Sequence, residues 1–190
     1  MSLVPTFEIG VWNAWILMLY YPLHPVIMLL IDKLVGTGGM FKKMVSSPYN
    51  KNEKLAFISA SVLSFILFLY SIFLPLKLDS SWFYIGIVIY LFGLFMFIFA
   101  IVNIATTPLG EPFVKGLYRY SRHPMTFFSY FTFIGVGIAT ASWLFLLLSI
   151  ILIILFAIYI TAEERGCCEL YGDTYRQYMD RTPRWIGIPK

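Results

Sequence analysis

The stretch that decides the fold is PMTFFSYFTFIGVGIATASWLFLLLSIILIILFAIYITA, residues 124–162, which contains no Asp, Glu, Lys or Arg. As one α-helix these residues would extend about 58 Å, nearly twice the roughly 30 Å of hydrocarbon in a bilayer. The chain must therefore turn back on itself, and the only weak point is the small and hydroxylated segment 135–142. The sequence predicts a tight helical hairpin with spans near 125–138 and 142–162.

Three more uncharged runs precede this hairpin, and each is long enough to cross a membrane. They predict spans at about Trp12–Ile31, Leu55–Leu76 and Ser81–Asn103. Hydrophobic residues make up 59% of the chain and charged residues 13%, against about 25% charged residues in soluble domains. We therefore expect an all-α integral membrane protein with five transmembrane helices in one domain. Residues 1–100 would form a three-span scaffold, and residues 101–190 would form a loop, the hairpin and a carboxyl-terminal lid.

The basic residues predict how these spans are oriented. With five spans, 13 of the 14 Lys and Arg residues fall on one side of the membrane, and only Lys77 falls on the other. The positive-inside rule then places the amino terminus outside and the carboxyl tail in the cytoplasm. No Lys or Arg precedes the first apolar run, so we expect no signal peptide. The net charge of +4 follows from this orientation and does not indicate nucleic acid.

The hairpin is preceded by a loop that combines charge with aromatic rings, within NIATTPLGEPFVKGLYRYSRHPMT at 103–126. Its basic and aromatic members are Phe113, Lys115, Tyr118, Arg119, Tyr120, Arg122 and His123. Pro124 suits the first turn of a helix, where free N–H groups and a partial positive charge favour a carboxylate or a phosphate. Tyr118, Tyr120 and Phe113 would stack on a flat purine. The alternative is that the Arg and Tyr residues only anchor the span in lipid headgroups.

Two carboxylates, Glu163 and Glu164, follow directly after the last span. Unpaired acidic residues are costly at that depth. We expect them to pair with Arg122 and Arg119, or to meet a cation or ribose hydroxyl groups of a ligand.

The tail after these carboxylates has apolar and aromatic residues at helical spacing, from Cys167 to Tyr178. The pattern predicts a helix lying over the loop as a lid, weakened at Gly172 and stopped by Pro183. The adjacent Cys167 and Cys168 would be packing residues rather than reactive thiols.

Three features of the sequence leave alternatives open. His24, between Pro22 and Pro25, would either bond to a carbonyl freed by the kink or line a polar pocket. Asn103 would be a cap or a cofactor contact. The loop 32–54, with GTGG at 36–39, lacks the strand and helix of a phosphate-binding loop, and we expect a solvated segment near anionic lipid.

The second half of the chain resembles a known family. GLYRYSRHP (116–124), the hydrophobic hairpin, EE (163–164), YG (171–172) and RTP (181–183) occur in the order found in isoprenylcysteine carboxyl methyltransferases. More broadly, this half is similar to the integral-membrane methyltransferases that include phospholipid N-methyltransferases. The resemblance covers residues 100–190 and implies a cytosolic S-adenosylmethionine pocket without a Rossmann domain, with S-adenosylhomocysteine as the product.

The resemblance also implies which residues form the site. The implied cofactor contacts are Asn103, Gly110, Glu111, Pro112, Phe113, Tyr118, His123, Pro124, Met125, Thr126 and Glu163. Arg122 and Glu164 join them because of their charge and position. We assign His123 and Glu163 as catalytic residues. Tyr159 is assigned to substrate binding because eukaryotic members carry an Arg there for the prenylcysteine carboxylate. Thr126 is a second departure, since the family usually has Tyr at that position.

These observations predict methyl transfer to a lipophilic acceptor that enters from the bilayer, with an isoprenylcysteine-type carboxylate as the expected acceptor. A carboxylate needs no general base, whereas an amine must arrive unprotonated, and Glu163 or Glu164 would then take its proton. The alternatives are a phospholipid or amine N-methyltransferase, an NADPH-dependent sterol-type reductase, and a non-enzymatic membrane scaffold. We expect no metal and no nucleic acid as partners.

Overall fold

A computed structural model describes residues 8–44 and 48–190. The predicted location of the amino terminus concerns residues outside this part, as does a short piece of the loop 32–54. The helices are α1 (Trp15–Met18), α2 (Tyr20–Val35), α3 (Met40–Lys43), α4 (Lys51–Ser71), α5 (Ser81–Thr106), α6 (Pro124–Ala139), α7 (Trp143–Tyr171) and α8 (Asp173–Arg181), with a 3₁₀ turn at Gly116–Arg119 before α6.

The protein is an all-helical integral membrane protein, as the uncharged runs predict. Four helical segments, Trp15–Val35, α4, α5 and α7, are long and apolar enough to cross a membrane. The fifth, α6, is a shorter apolar helix of 16 residues. At 1.5 Å per residue α6 extends about 24 Å, less than the bilayer core. The first arm of the predicted hairpin is therefore its short arm.

The first span is interrupted, which explains why its predicted bounds were shifted. Helix α1 ends at Met18 and α2 begins at Tyr20. Pro22 has no N–H to bond to the carbonyl of Met18, so a break at this point costs little. Pro25 lies inside α2, which continues to Val35 rather than ending at Ile31.

Helix α4 begins and ends earlier than its hydrophobicity predicts. A capping box starts it, because the Asn50 side chain accepts from the Glu53 N–H at 2.9 Å and Glu53 accepts from the Asn50 N–H at 2.8 Å. The box includes charged residues in the helix. At the other end, residues 72–76 leave the helix and pair with the start of the chain, with Ala14 N–H donating to the Leu74 carbonyl at 2.8 Å.

The closest helix contact is between α5 and α6, which pack much more extensively than α6 and α7 do. Glycines make it possible: a Cβ on Gly135 of α6 would lie 2.6 Å from the Tyr90 backbone nitrogen of α5, and one on Gly93 of α5 would lie 2.6 Å from the Phe131 Cβ. Gly86 faces Gly135 in the same way. Close packing of α6 on α5 therefore depends on Gly86, Gly93 and Gly135. Helix α6 also packs on α7, where a Cβ on Gly137 would lie 2.6 Å from Leu146.

The turn between α6 and α7 lies at the predicted weak point. Ala141 has a φ of 52°, and the Ser142 hydroxyl accepts from the Phe145 N–H at 3.2 Å. Helix α7 then continues past the predicted end at 162 as far as Tyr171. The predicted tail helix is therefore two pieces, the last part of α7 and the separate α8. Gly172 breaks the helix rather than weakening it, because its φ of 57° is not helical.

The loop after the first span is docked on the bundle at a few residues, while most of its described residues are exposed as expected. Thr37 N–H donates to the Ala105 carbonyl at 3.0 Å. Lys43 is buried and its Nζ donates to the same carbonyl at 2.8 Å and to the Thr37 hydroxyl at 2.8 Å. These donors satisfy carbonyls at the carboxyl end of α5, which a helix leaves unpaired.

Candidate functional site

Three segments carry most of the basic residues: the loop after the first span, the loop before α6 and the tail from Arg165 onward. Contacts between distant parts of the chain bring these basic segments together at one end of the bundle. Lys43 bonds to the end of α5, Arg165 of α7 bonds to Glu53 at 2.7 Å, and Arg122 N–H donates to the Pro183 carbonyl at 3.0 Å. We call this the basic end. A cavity of about 290 Å³ opens there between the loop 107–123, α6, α7 and α8, and we call it the polar cavity.

The loop before α6 is held by Asn103. Its side-chain oxygen accepts from the Leu117 N–H at 2.8 Å, so the amide holds the 3₁₀ turn against the end of α5. Gly116 lies directly over this amide with a φ of 61°, leaving no room for a side chain. The structure thus places Asn103 in support of the loop, outside the lining of the polar cavity.

Glu164 is the centre of a buried charged cluster. Its carboxylate accepts from His123 Nε2 at 3.1 Å and from both Nε and Nη2 of Arg184, and Arg122 Nε lies 3.3 Å away. Burial alone would raise the pKa of Glu164, but the bonds from His123 and Arg184 and the charge of Arg122 lower it to about 2. Glu164 therefore ties the loop and the tail to α7 and faces away from the polar cavity.

Glu163 lies in a different environment although it is the next residue along the chain. Its side chain is 39% exposed, against 5% for Glu164, and lines the polar cavity. The basic side chain next to it is His123, with 3.8 Å between Nδ1 and the carboxylate, which is too long for a hydrogen bond. Both carboxylates lie beyond the uncharged, membrane-spanning part of α7. Enclosure by protein and the charge of Glu164 raise the pKa of Glu163 to about 7.

His123 lies between the two carboxylates as the residue that precedes α6. Burial lowers its pKa, and the bond and charge of Glu164 only partly offset that effect. The ring is therefore neutral at neutral pH. Donation from Nε2 to Glu164 leaves Nδ1 as an acceptor on the Glu163 side.

The polar cavity also presents donors for an anion. Arg122 is 12% exposed and its Nε, although near Glu164, makes no hydrogen bond in the described part of the chain. Next to it, the first turn of α6 begins at Pro124, and Met125 and Thr126 line the cavity. The backbone N–H groups at such a helix start have no intrahelical partner. A guanidinium beside a helix start is a suitable site for a carboxylate.

Aromatic rings form the remaining wall of the polar cavity. Phe113 and Tyr118 lie with ring centroids 5.6 Å apart, and Tyr175 and Tyr178 of α8 with centroids 5.5 Å apart. The Tyr178 hydroxyl donates to the Tyr118 carbonyl at 2.6 Å, which fixes α8 against the loop. The tail beyond α8 is attached as well, since Gly187 N–H donates to the Tyr120 carbonyl at 2.9 Å.

A second cavity of about 220 Å³ lies within the span region, and we call it the apolar cavity. Its walls come from α2, α4, α5, α6 and α7, and they include Phe97, Phe133, Phe156 and Tyr159. Met125 and Thr126 line both cavities. The first turn of α6 therefore separates a charged compartment from one inside the membrane bundle.

The structure brings together about half of the residues that the sequence assigned to the cofactor. Those that line the polar cavity are Phe113, Tyr118, Arg122, His123, Met125, Thr126 and Glu163. Those outside its lining are Asn103, Gly110, Glu111, Pro112, Pro124 and Glu164. Tyr159, assigned to the substrate, lines the apolar cavity. Of the expected ion pairs, Arg122 pairs with Glu164, whereas Arg119 is exposed and pairs with no described carboxylate.

The site assignment missed several residues of the polar cavity. They are Met44, Tyr49, Ile104, Cys167, Tyr171, Tyr175 and Tyr178. The last four carried a signal in the sequence, because their helical spacing predicted a lid. Met44 and Tyr49 belong to the docked loop, and no local pattern marks them. Arg184, which completes the Glu164 cluster, was also missed.

Comparison with known proteins places this architecture in a family. The family model for phospholipid methyltransferases matches residues 61–174, three fifths of the chain. The chain belongs to the phospholipid methyltransferase family. The match covers the second half of α4 and all of α5, the loop, α6 and α7, which supply part of the lining of each cavity. A separate search of curated proteins found no match to the chain.

Family membership makes this chain a membrane methyltransferase. The resemblance to isoprenylcysteine carboxyl methyltransferases points to the same group of membrane methyltransferases, and the match extends it to the second span. The methyl acceptor and the roles of individual residues are separate questions, which depend on the chemistry of the two cavities.

Proposed function

We propose that the protein transfers a methyl group from S-adenosylmethionine in the polar cavity to a lipophilic acceptor in the apolar cavity. The observation that carries this proposal is the contact of the two cavities at Met125 and Thr126. A charged donor and a lipid acceptor need different surroundings, and a short helical turn between the two brings their reacting groups together.

The polar cavity has groups that fit each part of the donor. Arg122 and the helix-start amides of α6 suit the methionyl carboxylate. Glu163 suits the ammonium group or the ribose hydroxyls. The rings of Tyr118, Phe113 and α8 suit adenine by stacking.

When bound, the donor would supply a methyl group carried on a positively charged sulfur. A lone pair of the acceptor would attack that methyl group in line, and the sulfur would leave. Met125 and Thr126 align the two reactants at the junction. The aromatic walls exclude water from the reacting atoms. Glu163, with its raised pKa, is suited to take a proton from an acceptor that arrives as an ammonium ion.

Two acceptor classes fit this scheme, and the charges around the apolar cavity favour one of them. An isoprenylcysteine-type carboxylate is implied by the sequence motifs, and a phospholipid amine by the family model. The lining of the apolar cavity in the described residues has no Lys or Arg, and Tyr159 stands where the prenylcysteine enzymes carry Arg. A buried carboxylate would lack a counter-charge there. We therefore favour the amine, with the carboxylate as the second candidate.

We further propose that the acceptor enters sideways from the bilayer, between α2 and α4. Both helices line the apolar cavity, yet they make almost no contact with each other. Phe57 and Ser61 of α4, on the cavity wall, are exposed at this gap. The clustering of the basic segments at one end supports a cytoplasmic basic end and an amino terminus outside.

A binding titration tests the proposed donor. The detergent-solubilised protein should bind S-adenosylhomocysteine and not NADPH, because Arg122 is the only Lys or Arg in the described lining of the polar cavity and a 2′-phosphate needs more. Binding of NADPH alone would support a reductase. Binding of neither would support the scaffold.

A further inference from the structure

The apolar cavity is lined by a histidine that has a buried ring nitrogen without a hydrogen-bond partner among the described residues. His24 of α2 lines this cavity, and its Nε2 is buried without a partner in the described part of the chain. Neither ring nitrogen forms a hydrogen bond to a described residue, so the expected bond to a carbonyl freed by Pro22 or Pro25 is not formed. The ring rests on Phe97, with 5.2 Å between centroids.

Two serine hydroxyls on the cavity wall are engaged with their own helices. The Ser61 hydroxyl donates to the Phe57 carbonyl at 2.9 Å, and the Ser129 hydroxyl to the Thr126 carbonyl at 2.7 Å. Buried polar atoms in proteins are nearly always paired, so an unpaired one beside a cavity marks a place where a ligand group can bind. The neutral His24 imidazole offers one donor nitrogen and one acceptor nitrogen on a rigid ring.

The depth of His24 in the bundle matches the junction of the two cavities. The Tyr20 hydroxyl of α2 meets the Thr132 hydroxyl of α6, which places these residues at one level. Helix α2 runs toward the basic end and α6 runs away from it. One turn toward that end, about 6 Å, leads from Tyr20 to His24 and from Thr132 to Phe128. His24 is thus within about one helical turn of the level of Met125 and Thr126.

We propose that His24 binds the methyl-accepting amine, by accepting a hydrogen bond from its N–H. This inference rests on the proposed function and deepens it. A neutral amine that donates one N–H to the imidazole keeps its lone pair free to face the junction. In the transfer, that lone pair forms the N–CH₃ bond, the S–CH₃ electron pair returns to sulfur, and the proton lost beforehand from the ammonium goes to Glu163 or to water. The acceptor is then a primary or secondary amine lipid. A neutral tertiary amine and a quaternary ammonium lipid have no N–H and gain nothing from His24.

Lipid binding measured without any cofactor tests this role. The protein in detergent is titrated with short-chain phosphatidylethanolamine, with short-chain phosphatidylcholine and with an N-acylated S-prenylcysteine. His24→Phe keeps a ring against Phe97 and removes both nitrogens. His24→Gln places a carbonyl oxygen near the position of Nε2. Tyr21→Phe removes a different polar atom from the same cavity and is the matched control.

We expect His24→Phe to weaken phosphatidylethanolamine binding by about tenfold or more, because a site that recognises an N–H loses that discrimination. Phosphatidylcholine binding should be equal in wild type and His24→Phe. His24→Gln should recover most of the phosphatidylethanolamine affinity, and Tyr21→Phe should resemble wild type.

Several results would overturn the assignment. They are equal phosphatidylethanolamine affinity in wild type and His24→Phe, an equal loss for both phospholipids, a loss for the prenylcysteine alone, and no binding of either phospholipid to wild type. Failure of the proposed donor appears separately, in the S-adenosylhomocysteine titration, because the lipid titrations contain no cofactor. Unchanged S-adenosylhomocysteine affinity in His24→Phe would also show that the polar cavity is intact.

Discussion

The polar and apolar cavities share two lining residues but are held together in different ways. The walls of the polar cavity are a loop and a tail joined by ion pairs and hydrogen bonds that converge on Glu164. The walls of the apolar cavity are helices packed through glycines and aromatic rings, such as Tyr130 on Phe156. Around a cavity for a charged ligand, ion pairs can hold the wall segments together because water and counter-charges are near. Inside the bundle, complementary helix surfaces hold the walls together. A buried polar atom left unpaired among the described residues therefore points to a ligand.

The largest effect should come from removing the Glu164 carboxylate, which holds the wall segments of the polar cavity together. Glu164→Ala leaves Arg122, His123 and Arg184 without their shared carboxylate. Breaking a buried ion pair costs about 3–5 kcal/mol in the free energy of unfolding. Chemical unfolding in micelles should show this loss, together with protease cleavage near the tail. The free energy of unfolding of Glu164→Gln should lie between those of Glu164→Ala and wild type. A Glu164→Ala protein as stable as wild type would show that the cluster does not hold the loop and the tail to α7.

The neighbouring carboxylate should behave in the opposite way. Glu163→Gln keeps the size of the side chain and removes its charge. Because the raised pKa of Glu163 shows that folding disfavours the charged form, the variant should be at least as stable to unfolding as wild type. S-adenosylhomocysteine affinity should fall by about tenfold to a hundredfold, the effect of losing a charge-assisted hydrogen bond of about 1.5–3 kcal/mol. Calorimetric titration measures this change. Affinity equal to wild type would remove Glu163 from the cofactor site.

Filling the apolar cavity should reduce methylation of the acceptor without changing cofactor binding. Ser129 lines that cavity and not the polar one, so Ser129→Phe occupies acceptor space. We expect about a tenfold loss in methylation of phosphatidylethanolamine, since the overpacked ring excludes the lipid or costs about 1–3 kcal/mol to accommodate. S-adenosylhomocysteine affinity should stay constant, and Ser129→Ala is the control. An equal loss of cofactor affinity would mean that the cavities are not independent.

The smallest effect is a pH dependence confined to the polar cavity. Because the pKa of Glu163 is raised to about 7, its carboxyl is half protonated near that pH and neutral below it. A neutral carboxyl does not attract the ligand ammonium group, so affinity should fall as the pH falls. At the pKa itself the loss is about twofold. Titration of wild type across this range should show the decline, and Glu163→Gln should be flat. A decline of the same size in the variant would assign the titration to another group.

Much of this architecture could be predicted from local patterns. Uncharged runs located every span, and the length of residues 124–162 required the hairpin. Helix ends were less predictable, because the capping box at Asn50 and the continuation of α7 to Tyr171 depend on side chains that pair with other segments. Glu53, for example, is both part of that cap and the partner of Arg165 in α7.

The site was predicted in part for the same reason. Arg122, His123 and Glu163 were identified because charged residues at a membrane exit are conspicuous. Their roles could not be separated, since Glu163 and Glu164 are identical as letters. Tyr49 and Arg184 carried no pattern that tied them to the site, as each reaches it through a fold of the chain.

The sequence by itself determined that this chain is a multi-span helical membrane protein with a charged, aromatic segment beside a hairpin. Hydrophobicity and length suffice for that, because a bilayer accepts few other structures. Only the tertiary structure decided which carboxylate holds the loop and tail to α7 and which faces the cavity, and that α6 packs most extensively on α5. It also decided that His24 has no hydrogen-bond partner among the described residues. Those outcomes depend on distances between residues far apart in the chain, such as the 3.1 Å from His123 to Glu164, and distance is set by packing rather than by order along the chain.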